Sequence, residues 1–179
     1  GILDAHVAIA NLLRKADKTS EASMHLKKGS NLVLSMSDSD EKHEFMKKIA
    51  QCWEKMGNIQ QAQRCYKEAL AAVRFIERRK VPFLEYDLMV KLGDLAKITS
   101  DDKRHDLSTA QGKKAQQVQY DQAAEVLRRH STSGNFNSQS ILFFVLLADK
   151  YRSIDVCEQE KLLLEALQMC DVVYPSNEA

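Results

Sequence analysis

The stretch "CWEKMGNIQQAQRCYKEAL", Cys52 to Leu70, decides the fold class. Ala62, Tyr66 and Ala69 are spaced by four and then three residues, which puts them on one face of a helix with about 3.6 residues per turn. Met46, Ile49, Ala50 and Trp53 keep the same rhythm upstream, so a first amphipathic helix is predicted to end at Gly57, the usual stop residue. Asn58 is placed to cap the next helix, and Gln61, three residues on, to complete a capping box. The result is two antiparallel helices with almost no loop. Small residues where two helices cross allow close approach, and an aromatic opposite them fills the remaining space. Such a hairpin leaves one apolar face uncovered and has to stack on another copy, which predicts internal repetition.

The copies can be found. In the first segment Ile9, Ala10 and Leu13 mark one helix, and Ala22, Leu26 and Gly29 mark its partner. Ala22 lies 40 residues before Ala62, with matching residue sizes around each. "DSDE", Asp38 to Glu41, is expected to cap the helix that leads to Trp53. A third copy opens at Pro82, a residue suited to helix entry, and carries Met89, Leu92, Gly93 and Ala96. Its second helix, with Tyr120, Ala123 and Leu127, is expected to be delayed by a polar insert, 101–119, read as an exposed loop, a helix extension or both. A Ser/Asn/Gly-rich linker precedes a fourth copy with Phe144, Leu147, Ala148 and Tyr151, whose partner helix carries Leu163, Ala166 and Leu167 before Pro175. The expected hairpins run over 3–36, 39–79, 83–131 and 138–173.

These positions resemble the tetratricopeptide repeat family, most closely at Met46, Ile49, Ala50, Trp53, Gly57, Ala62, Tyr66 and Ala69. The family repeats at about 34 residues, so a spacing of 40 suggests longer helices, similar to the kinesin light chain type. The resemblance implies an all-α, TPR-like right-handed superhelix of about four antiparallel hairpins and eight helices, with an insert in the third, forming a single domain and a fragment of a larger protein. It also implies that first helices line a concave groove for a peptide or partner helix. The groove positions would be Asn11 and Arg14; Lys47, Gln51 and Glu54; Val90, Asp94 and Lys97; and Val145, Asp149 and Arg152. Chaperone-binding members hold a C-terminal carboxylate with a lysine and asparagine clamp. Gln51 and Asp94 occupy two of the asparagine positions here, so that clamp is not expected.

Composition agrees with a helical interaction module. Of 179 residues, 44% are hydrophobic and 28% charged, and only two prolines and six glycines interrupt long helices. A net charge of +1 argues against nucleic acid or an anionic membrane as the dominant partner. There is no apolar run near the roughly 18 residues that a span needs, and an intracellular, cytoplasmic setting without membrane insertion is expected. Cys52, Cys65, Cys157 and Cys170 lack CxxC spacing and read as reduced thiols. Trp53 reads as core rather than as a stacking platform. Neither a zinc site using Cys52 and Cys65 with His25 or His43, nor a catalytic cysteine with His105 or His130, has supporting spacing; no cofactor, metal or enzymatic activity is expected.

Three secondary readings remain. The basic runs Arg74 to Lys80 and Leu127 to His130, with Lys113 and Lys114 in the insert, carry an alternative as a regulatory or nucleic-acid-associated module, although helix C-termini attract such charges anyway. "RRHS" resembles a basophilic kinase site at Ser131, in a segment expected to be flexible. The run "ILFFVLLA", Ile141 to Ala148, is richer in apolar residues than one helix face needs; it is read either as a helix buried on both sides or as a contact to another subunit. For a fragment of a larger protein, exposed end repeats want capping, and self-association through them is expected.

Overall fold

In a computed structural model the chain is described over residues 1–36, 41–75, 82–101, 106–132 and 137–175, side chains at 75, 82, 97–101 and 106–109 excepted. These residues form eight α-helices and no strand. They fall into two compact units, Gly1–Val81 and Pro82–Ala179.

Unit 1 holds α1 (Ile2–Lys15), α2 (Thr19–Ser35), α3 (Lys42–Lys55) and α4 (Ile59–Phe75). α1 pairs with α2 and α3 with α4, and α3 rests on both α1 and α2. The repeat of 40 residues is kept in three dimensions. Ala22 and Ala62 are each the fourth residue of their helix, and Ala22, Leu26, Ala62, Tyr66 and Ala69 are all fully buried. The turn after α3 is the one expected. Gly57 has φ +74°, its N–H donates to the Glu54 carbonyl at 2.9 Å, and Asn58 N–H reaches back to Trp53 O at 3.0 Å, closing the helix end. Asn58 then accepts from Gln61 N–H at 3.2 Å and starts α4. The turn after α1 repeats this geometry with Asp17 in the glycine position, at φ +57°. At α3 the expected capping box falls largely on residues outside the described set; Glu41 precedes the helix without a side-chain cap.

Unit 2 holds α5 (Pro82–Asp101), α6 (Asp106–Thr132), α7 (Ser138–Tyr151) and α8 (Val156–Val173). Pro82 opens α5 as expected. α5 pairs with α6 and α7 with α8, while α6 also meets α7. Leu92, Ala123, Phe144, Ala148, Tyr151 and Ala166 are buried in this unit, as Trp53 is in unit 1. Gly93 sits beneath the ring of Tyr120.

Of the forms expected for the insert, residues 106–119 take the helix extension: they are the first half of α6, a helix of 27 residues, and not an exposed loop ahead of it. Gly112, Gln116, Tyr120 and Ala123 lie on the buried stripe, and Gln116 donates to Tyr120 Oη at 3.1 Å, so a buried polar side chain gives this half of the helix its inward face. On α8 one expectation needs correcting: Ala166 is buried as expected, but its buried partner is Leu162, whereas Leu163 and Leu167 are exposed.

Candidate functional site

In unit 2, α5 and α7 are held side by side by polar ties. Tyr86 Oη donates to the Phe143 carbonyl at 3.2 Å, and Lys150 Nζ reaches both carboxylate oxygens of Asp94 at 2.8 and 2.9 Å. Asp94 also accepts from Tyr120 Oη at 2.6 Å. This expected groove residue is thus half-buried and fastened to α6 and α7 at once. Below these ties, Tyr151 Oη donates to Asp121 at 2.5 Å. Burial first, and the neighbouring carboxylates second, push the phenols of Tyr120 and Tyr151 well above the ordinary tyrosine value.

The exposed stripe of α7 runs Leu142, Val145, Asp149, Arg152, with Leu146 beside it. Leu142 is 54% exposed, Val145 42% and Leu146 48%. Of the run Ile141 to Ala148, then, Phe144, Leu147 and Ala148 are core while Leu142, Val145 and Leu146 face solvent; the helix is not buried on both sides. Asp149 and Arg152, expected in the groove, pair with each other at 3.4 Å and are exposed. Val90 is half-buried on α5. Lys97 lies on α5, with a side chain outside the described set.

In unit 1 the expected groove residues sit on α1 and α3. Asn11 accepts from the Cys52 thiol at 3.5 Å, and burial raises the pKa of that thiol. Arg14 is half-buried, and its Nε has no hydrogen-bond partner among the described residues. Glu54 accepts from Tyr66 Oη at 2.9 Å, so it too is a packing residue. Lys47 is half-buried and Gln51 exposed.

Ser131 falls inside α6 and not in a linker. Its hydroxyl donates to the Leu127 carbonyl, one turn back, at 2.9 Å, so a kinase would have to unwind the last turn. Arg128 donates to Glu165 through Nε at 3.0 Å and to Glu158 through an Nη at 2.5 Å, clamping α6 to α8. Those bonds occupy one of the cations that a nucleic-acid reading would use. His130 packs edge-on against Phe83. Lys113 and Lys114 are exposed on α6, and of Arg74 to Lys80 most lies outside the described residues. All four thiols are free, Cys157 exposed and Cys52 and Cys65 buried. Among the described residues no three His, Cys, Asp or Glu side chains cluster as metal ligands, and no helix is long and apolar enough to cross a membrane.

No family model and no curated protein matches the chain. Among solved structures it is similar to nearly identical TPR-like repeats from a Podosopora anserina protein assigned as a kinesin light chain, with 14% identity, 97% of each chain covered and a TM-score of 0.41.

Proposed function

We propose that this chain is a non-catalytic protein-interaction module, and that unit 2 receives a peptide or partner helix along its first helices, α5 and α7. The observation that carries this reading is the exposed stripe of α7: two aliphatic side chains, Leu142 and Val145, continue into the charged pair Asp149 and Arg152, with Leu146 alongside. An amphipathic helix binds such a face through apolar anchors at i, i+3 or i+4, and i+7, while charges at one end set its direction. The ties from Asp94 to Tyr120 and Lys150 keep α5 and α7 in fixed register, so a ligand meets a surface that is already formed. In unit 1 the α1 and α3 positions Asn11, Arg14, Lys47, Gln51 and Glu54 offer a more polar face.

The test is affinity capture from cell extract with three baits: the chain itself, a Leu142→Lys/Val145→Glu variant, and a Leu164→Lys/Leu167→Lys variant on the exposed face of α8. Loss of a specific partner from the α7 variant alone, with helical circular dichroism intact, is expected. Retention on the α7 variant would remove the assignment. Asp94 and Glu54 are unsuitable probes, because reversing either charge also breaks a buried tyrosine bond.

A further inference from the structure

On the other side of unit 1, away from the α1 and α3 positions just described, a pocket of about 250 Å³ opens between the second helices α2 and α4. Lys27, Ser30, Asn31 and Leu34 line it from α2, and Gln61, Arg64, Cys65 and Glu68 from α4, in each case one face at i, i+3, i+4 and i+7. Met46 and Trp53 reach it from α3 and, with Leu34, supply its apolar part. The polar part is unspent. Lys27, Asn31, Gln61 and Arg64 make no side-chain hydrogen bond or ion pair among the described residues, and Ser30 has only a long contact of 4.0 Å to the Cys65 sulfur. Two cations, one from each wall, face a single carboxylate, Glu68.

We propose that this pocket binds an oxyanion carried on a short apolar stem, the chemistry shared by a phosphorylated aromatic side chain and an aryl carboxylate. Three observations converge on that ligand. The volume falls below the roughly 300–1,000 Å³ of drug-sized sites and suits one aromatic group. The apolar lining receives the stem. Lys27 and Arg64 can close on the anion from opposite walls, with the amides of Asn31 and Gln61 as neutral donors, an arrangement that planar guanidinium and flexible ammonium groups serve well. A neutral ligand of the same shape would leave both cations idle, and inorganic phosphate would leave the apolar lining idle.

Trp53 is the only tryptophan of the chain, so its single indole N–H resonance reports occupancy without assignment of the spectrum. Phenyl phosphate, phenylacetate, benzyl alcohol and inorganic phosphate are titrated in turn. Saturable shifts of that resonance are expected from at least one of the two aryl acids, at least tenfold tighter than for benzyl alcohol or inorganic phosphate, and whichever acid binds better distinguishes phosphate from carboxylate. Lys27→Glu/Arg64→Glu is expected to weaken that acid at least tenfold; both positions are exposed, so the helix content is unchanged, and Lys27→Gln/Arg64→Gln gives an intermediate loss. No saturable shift at millimolar acid, or an affinity untouched by the charge reversals, would overturn the proposal. Neither result bears on the α7 face.

Discussion

Asp17 and Gly57 occupy the same place in successive hairpins, both with positive φ, yet only one of them is glycine. A side chain in that region crowds the following carbonyl, and aspartate tolerates it better than most residues but not freely. Asp17→Gly is therefore expected to raise stability by about 0.5–1 kcal/mol, read as a higher urea midpoint, relief of strain outweighing the greater freedom of glycine in the unfolded chain. An unchanged or lower midpoint would show that the turn does not strain Asp17. Gly93 poses the opposite problem. Alanine would improve helix propensity by ~1 kcal/mol, but its Cβ would lie 2.7 Å from Tyr120 Cδ1 and nearer still to Cε1. Tyr120 cannot yield, being fully buried and tied through Oη to Asp94 and Gln116. Overpacking of roughly 1–3 kcal/mol outweighs this, and Gly93→Ala is expected to lower stability by up to about 2 kcal/mol in the same measurement.

At the scale of elements, α6 shows what could and could not be read from the chain. Its second half, with Tyr120, Ala123 and Leu127 at helical spacing, is legible because the stripe is apolar. Its first half hides the same stripe under Gly112 and Gln116: a glycine marks no face, and a glutamine counts as surface until a buried phenol satisfies it. The buried leucine of α8 is hidden for a related reason, since "LLLEALQ" offers leucines on several faces and only the partner helix selects Leu162. Charge pairs between helices leave still less trace. Arg128 reads as one more basic residue at a helix end, yet it bridges Glu158 and Glu165 on α8. Because both carboxylates are only partly exposed, Arg128→Ala is expected to cost about 1–2 kcal/mol, above the 0.2–1 kcal/mol typical of an open surface pair. Arg128→Lys should recover less than half of that, lacking the fork that engages both acids. Full recovery by lysine in urea unfolding would reduce the clamp to simple charge.

Across the whole molecule the repeated device is a buried phenol bonded to a carboxylate: Tyr66 to Glu54, Tyr120 to Asp94, Tyr151 to Asp121. Tyr86, whose Oη meets the Phe143 carbonyl, completes a set of four. In each, burial is the main cause and nearby carboxylates the second of a pKa held above the ordinary value of about 10. Since the folded form holds these protons more tightly than the unfolded form, their contribution is complete below about pH 10 and is lost as pH rises through that value towards the folded pKa values. Each tyrosine then removes ~1.4 kcal/mol per pH unit, and four together remove enough to exhaust the roughly 5–15 kcal/mol of a typical domain within one to three units. Tyr174, 63% exposed, stands outside the set. In an alkaline titration, tyrosinate absorbance beyond that of one residue is expected to rise together with the loss of helical circular dichroism. Absorbance equal to several tyrosines while the helices are intact would mean that hydroxide reaches these phenols in the folded state, and that the phenol–carboxylate bonds are not what closes the core.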